Sequence, residues 1–181
     1  MEDAEAMAQV RDGRVERLAV VFERHHLYLF NYFLGQTRQR GASEDLVQEV
    51  FLRLLRYRAS YRPGAPFAPW LWQIARNVHR DHVATQRPSQ PLDEVHESMS
   101  DGQDGAEVHL MRTQDTTRLQ SALARLDPAK RDLLLLSRNP DLPYKDLAQL
   151  LGCSVGALKV QVHRALKELR TVYLELHGGL P

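Results

Sequence analysis

Cysteine is nearly absent from this chain, Cys153 being the single one in 181 residues. No intramolecular disulfide can form, and no Cys/His cluster has zinc spacing, so no metal and no cofactor is expected to staple the fold. No run approaches the roughly 18 apolar residues of a membrane span, and residues 1–10 are acidic where a secretory signal would be apolar. The expectation is a soluble, cytoplasmic protein without membrane insertion. Strand-like alternation is scarce, which argues against a sheet. Internal repeats and low-complexity tracts are lacking too, which removes solenoids from consideration.

Charge of one sign is also lacking overall, the net being +1, but the balance is uneven along the chain. Residues 1–52 carry nine acidic against six basic side chains, and 53–87 carry seven arginines against Asp81 alone. Residues 88–117 then hold seven acids against Arg112, and 118–181 hold ten bases against six acids. Two basic blocks separated by an acidic stretch suit two surfaces for a polyanion, held apart by a segment that repels it.

What is present is helical periodicity. An apolar share of 43% is that of a folding chain. The spacing predicts a first helix over about 14–38, through Leu18, Val21, Phe22, Leu29, Phe33 and Leu34, with Gly41 at its exit. A second is expected over 43–58 with Ser43 as N-cap and Glu44 and Asp45 in its first turn. After Pro63, Gly64 and Pro66, a third places Phe67, Trp70, Leu71, Ile74, Ala75 and Val78 on one stripe. The fold class is therefore all-α, as two small helical domains, 1–86 and 115–181, joined by a flexible acidic linker over 87–114. In the second domain a helix through Leu119, Ala122, Leu123 and Leu126 ends at Asp127-Pro128, an N-cap and N1 proline for the next.

Two segments near the end, 144–151 and 154–176, flank Gly152-Cys153-Ser154 and form a helix-turn-helix pattern. Leu147, Ala148 and Leu151 pack inward on the first segment, and Val155, Leu158, Val162, Leu166 and Leu169 on the second. At 100° per residue, Gly156, Ala157, Val160, Arg164 and Lys167 then face outward, with Lys159 and His163 on the flanks. Small residues at the helix start and bases beyond suit a major groove. On the second helix Leu52 projects among Asp45, Gln48, Glu49 and Arg56, as a partner-docking residue would, although singly exposed leucines are common. Tyr57, Tyr61, Phe67, Trp70 and Trp72 interleave with Arg58, Arg62, Arg76 and Arg80, and Trp72, Arg76, His79 and Arg80 fall off the core stripe. Basic grooves with aromatic platforms bind single strands.

These residues carry a resemblance to a family. The stretch Ser43-Glu44-Asp45-Leu46-Val47-Gln48-Glu49-Val50-Phe51, followed by Trp70-Leu71-Trp72-Gln73-Ile74-Ala75-Arg76-Asn77 and Arg80-Asp81, resembles the core-binding and minus-ten domain of extracytoplasmic-function sigma factors of bacterial RNA polymerase. The run from Val155 to Ala165 is similar to their minus-35 domain. The resemblance implies a factor that directs core RNA polymerase to promoter DNA, assists melting and catalyses no covalent chemistry, so the chain is not expected to be an enzyme. It implies that Asp45, Gln48, Glu49 and Leu52 face the polymerase, and that Asn77 helps hold an unpaired minus-ten base. Arg62, Trp72, Arg76 and Arg80 join that face as candidates. Gly156, Lys159, Val160, His163, Arg164 and Lys167 would meet the minus-35 duplex. Many members of the group are held inactive by an anti-sigma factor, which is therefore a further candidate partner.

The rival reading is a helix-turn-helix regulator independent of sigma activity, which leaves the second basic, aromatic face without a purpose. The pairs His25/His26 and His79/His82 lack a carboxylate or thiol at ligand spacing and are expected at the surface.

Overall fold

The computed structural model describes residues 2–86, 106–176 and 178, with side chains of 106–114 excepted. The expected linker falls largely on 87–105, outside the described residues. Among the described residues all regular structure is helical. The helices are α1 (Asp3–Arg11), α2 (Leu18–Thr37), α3 (Arg40–Arg56), α4 (Phe67–Thr85), α5 (Ala106–Arg125), α6 (Pro128–Ser137), α7 (Tyr144–Leu151) and α8 (Val155–Leu176). Helix α5 thus begins inside the interval assigned to the linker.

Helix α1 was not anticipated. It has only nine residues, too few to be stable alone, and it forms because Ala6, Met7 and Val10 are completely buried against its neighbours. Asp3 fastens it to α2, accepting from Arg24 at 2.7 Å and pairing with His25 Nε2 at 2.8 Å. His25 is only 1% exposed, which corrects its expected place at the surface.

The α2–α3 turn also differs from expectation. Arg38, not Gly41, takes the left-handed conformation that ends α2, at φ 58°, and Gly41 lies in the first turn of α3. Ser43 is fully buried inside α3 and is not its N-cap. Its hydroxyl donates to the Gln39 carbonyl at 2.6 Å and shares a hydrogen bond with the Thr37 hydroxyl at 3.0 Å. That pair of bonds fixes the corner between α2 and α3.

In the second half the local signals hold. Asp127 accepts from Ala129 N at 2.9 Å with Pro128 at N1. Gly152 has φ 68°, while Cys153 N donates to Ala148 O and Gly152 N to Gln149 O, the two bonds of a Schellman turn between α7 and α8. The buried stripe of α8 is Leu158, Val162 and Ala165, with Leu169 and Val172 partly buried. Val155 and Leu166, expected inside, lie exposed at its edge because the seam is centred on Leu158 and Ala165. Leu119 is likewise exposed, since α5 turns Ala122 and Leu123 inward, followed by Leu126 just beyond its end.

The two halves share one continuous apolar core. Leu135 of α6 seats against Gly35 of α2, where a Cβ would come within 2.6 Å of a Leu135 methyl. Arg131 reaches both sides of the joint: it donates to the carbonyls of Leu123, Ala124 and Leu126 at the end of α5 and to that of Gln36 near the end of α2. One guanidinium thereby donates to carbonyls at the ends of two helices, where intrahelical donors run out.

If α1 is part of this core, Met7→Ala should destabilise the protein by about 2–5 kcal/mol, the range for emptying a buried Met site. Urea unfolding followed by tryptophan fluorescence reads it, and an unchanged midpoint would show that α1 does not contribute.

Candidate nucleic-acid interface

Three surfaces carry the residues expected to bind partners. The first is the outer face of α3. Its inner face buries Leu46, Val47, Val50, Phe51 and Leu54, and at 100° per residue this leaves Leu52 outward. Leu52 is 57% exposed between the exposed Asp45, Gln48 and Arg56. Glu49 is half-buried and accepts from Arg53 Nε at 2.7 Å, while Arg53 Nη1 reaches Asp81 of α4 at 2.7 Å. The two carboxylates raise the Arg53 pKa, the Glu49 hydrogen bond most, and the network locks the edge of this face to α4.

The second surface is α4. Arg80 and Arg62 are exposed, and Asn77 is half-buried with its side-chain oxygen accepting from Gln73 at 3.2 Å. Trp72 does not belong to this surface: it is 1% exposed, with its ring edge-on to Tyr32 at 5.3 Å. It lies on the flank of the α4 stripe, where burial depends on what α2 brings against it, and Tyr32 covers it. Trp70, expected in the core, is instead partly exposed and tilted against Tyr61 at 5.1 Å. Tyr61 is buried as well, its hydroxyl donating to Ala65 O. No tryptophan is therefore fully open as a stacking platform.

Arg76 is half-buried and points toward the second half of the chain, its Nε 2.9 Å from Asp132 Oδ2. The other oxygen of Asp132 accepts from Tyr32 Oη at 2.7 Å and Gln36 Nε2 at 3.4 Å. Burial, and then the nearby Asp132 charge, raise the Tyr32 pKa well above 10.0, so the phenol remains a donor. These residues and His79 line a cavity of about 350 Å³, with Asn77, Arg80 and Val83. Burial lowers the His79 pKa below 6.5, partly opposed by Asp132. The pair His79/His82, expected at the surface, is thus half-buried. Among the described residues, no group of three or more His, Cys, Asp or Glu side chains is placed to hold a metal ion.

The third surface is α8. Ser154 caps it, accepting from Ala157 N at 3.1 Å. Gly156, Lys159, Val160, His163, Arg164 and Lys167 are all exposed, as the helical projection required. Lys130 of α6 pairs with Glu168 at 2.6 Å and holds the helix against its support. Arg164 also lines a cleft of about 480 Å³ together with Arg76, Asp127 and Asp132. The structure therefore brings one member of the α4 set and one member of the α8 set to a single cleft, and leaves the α3 face apart. Asp132, which lines this cleft, and Tyr32 and Gln36, which donate to its carboxylate, were not among the candidates; their partners are distant in sequence and no local pattern marks them.

Protonation of His79 at low pH works against its buried site. A pKa lowered by folding means that the unfolded chain binds the proton more readily, so stability should fall as pH drops below 6.5. His79→Gln should flatten that part of the profile in thermal unfolding from pH 7 to pH 5; an unaltered slope would assign the effect elsewhere.

The comparisons with known proteins agree with one another. The family model for Sigma-70 region 2 matches residues 21–88, and that for Sigma-70 region 4 matches 116–169. The RNA polymerase sigma factor CarQ of Myxococcus xanthus is 31% identical over 173 residues, covering 94% of this chain and 97% of that one. The ECF RNA polymerase sigma factor EcfG of Rhodopseudomonas palustris is 33% identical, covering 70% and 68%. Among solved structures, CnrH in complex with the cytosolic domain of CnrY has a similar fold, with a TM-score of 0.71 at 22% identity over 97% of this chain and 99% of that one. The sigma factor RpoE in complex with the anti-sigma factor NepR from Bartonella quintana matches at 0.66 and 20% identity, over 86% and 95%.

Proposed function

Because the chain belongs to the sigma-70 family, in its extracytoplasmic-function group, we propose an assignment of its surfaces to the steps of transcription initiation. As a sigma factor it directs core RNA polymerase to specific promoters and assists their melting, and its partners are the core enzyme and promoter DNA. Nothing favours a helix-turn-helix regulator independent of the polymerase. The proposed division gives 1–86 the core enzyme and the minus-ten element, and 115–181 the minus-35 element, with 87–114 between them. The protein acts in the cytoplasm, where the polymerase is, and performs no covalent chemistry of its own. No helix among the described residues is long and apolar enough to cross a membrane.

The observation that carries the assignment is the separation of an open apolar-acidic face on α3 from basic faces on α4 and α8. Leu52, ringed by Asp45, Gln48 and Glu49, docks on the core enzyme. Asn77, with Arg76, Arg80 and Arg62, reads the unpaired minus-ten strand; Trp72 acts there only as the buried support of Arg76 and Asn77. Gly156, Lys159, Val160, His163, Arg164 and Lys167 meet the minus-35 duplex, the small residue at the helix start allowing close approach. An anti-sigma protein, as named for the RpoE structure, is a further proposed partner.

Leu52→Asp should alter stability by no more than about 0.5 kcal/mol, as surface substitutions do, yet weaken core binding tenfold or more, about 1.4 kcal/mol. Titration of labelled factor with core polymerase tests this, and normal binding would remove Leu52 from the interface.

On α8 an arginine fork gripping a guanine edge supplies about 1–3 kcal/mol of base discrimination, whereas a lysine on phosphate supplies affinity for any sequence. Arg164→Ala should relax preference at one minus-35 position, and Lys159→Ala should weaken binding to all sequences and lower the salt slope by about one. Holoenzyme titrations at several salt concentrations on single-base-changed duplexes decide between them. Equal loss on every duplex for Arg164→Ala would reverse the roles.

A further inference from the structure

Helix α2 is apolar on two sides, and only one of them is used within the chain. Val21, His25, Leu29, Tyr32 and Phe33 are buried toward the core; at 100° per residue, Val20, Leu27 and Leu34 point the opposite way. Leu27 is 61% exposed, and Val20 and Leu34 are half-buried. These three recur at every seventh residue, the spacing by which one helix meets another along a seam. A helix apolar on all sides is ordinarily covered on all sides. We propose that the outer face of α2 is covered by a second copy of this chain, the two α2 helices packing antiparallel about a two-fold axis at Leu27.

The stripe is its own complement when reversed. In an antiparallel pair centred on Leu27, residues equally far before and after the centre meet, and each flank of one helix meets the same flank of the other. Leu27 then packs on its own counterpart, and Val20 on the counterpart of Leu34. On one flank Arg24 lies just before the centre and Asn31 just after it, both exposed. Arg24 gives one nitrogen to Asp3 and keeps others for the amide oxygen of Asn31 in the second copy. On the other flank Glu23 comes opposite Phe30, whose ring carries the Arg40 guanidinium at 5.7 Å from its centroid. The exposed carboxylate of Glu23, unpaired among the described residues, thereby meets an arginine. By symmetry each of these pairs occurs twice, on either side of the apolar centre. A single helix pair stays below the roughly 1,200 Å² at which stable interfaces begin, so the dimer is a weak one that forms as concentration rises.

Sedimentation velocity of the free full-length chain, from micromolar to millimolar concentrations, should show wild type passing from monomer to dimer. Leu27→Arg sets two like charges against each other at the centre of the seam and should remain monomeric throughout. Far-ultraviolet circular dichroism checks that it folds as wild type does. Glu23→Arg and Arg40→Glu should each weaken the dimer about tenfold, two exposed pairs being reversed at once. The double variant Glu23→Arg/Arg40→Glu should recover most of that loss, because the swapped groups are again of opposite sign. A wild-type chain that stays monomeric overturns the proposal, and a dimer that Leu27→Arg leaves intact overturns it equally. Weakening in both single variants without recovery in the double one overturns the antiparallel register and the proposal with it. Titration with core polymerase identifies the other occupant: a monomeric wild type whose core binding is lost in Leu27→Arg assigns this face to the polymerase instead.

Discussion

A carboxylate withdrawn from water has to be compensated by donors, and much of this molecule is arranged around that requirement at Asp132. Its partners Tyr32, Gln36 and Arg76 come from α2 and α4, so one side chain of α6 organises two helices of the other half. The consequences spread outward. Tyr32, kept protonated by burial and by the carboxylate, presents its ring to Trp72, and the indole is buried as a result. One position before Asp132 on α6, Arg131 ties α5 to α2; three positions after it, Leu135 fills the space beside Gly35. Residues three and four apart share a helix face, so these three contacts of α6 form one joint.

That joint also shows where sequence reasoning stops. Signals whose partners lie within a few residues were legible: Asp127 with Ala129, Gly152 with its Schellman bonds, Leu52 opposite a strong apolar stripe. Positions whose state depends on a distant element were not. Trp70 and Trp72 are both off the centre of the α4 stripe, and only the arrival of Tyr32 on one flank decides which is buried. Asp132 lies 56 residues from Arg76 and 100 from Tyr32, and nothing in its neighbourhood distinguishes it from a solvated acid. Helix α1 is of the same kind, since its three buried apolar residues mean little until α2 and α4 are in place to receive them.

Ser43 and Arg38 teach a narrower lesson. A serine ahead of two acids reads as an N-cap, and a glycine between two helices reads as the turn. Here Thr37 and Ser43 bind each other across the corner, and this side-chain bridge, with the Gln39 carbonyl, fixes the turn tightly enough for Arg38 to adopt a left-handed backbone. Tertiary constraint outweighs a local preference of about 1–2 kcal/mol.

The two basic faces differ in how far their groups are engaged within the fold. On α8 the outward Gly156, Lys159, Val160, His163, Arg164 and Lys167 are exposed, the helix start is small and capped by Ser154, and Gly152 sets its angle to α7. On α4 the groups are engaged internally: Arg76 by Asp132, Asn77 by Gln73, and the neighbouring Asp81 by Arg53. A group engaged in this way meets an external ligand only when its intramolecular partner is displaced, so its affinity for any such ligand is reduced by the free energy of that displacement.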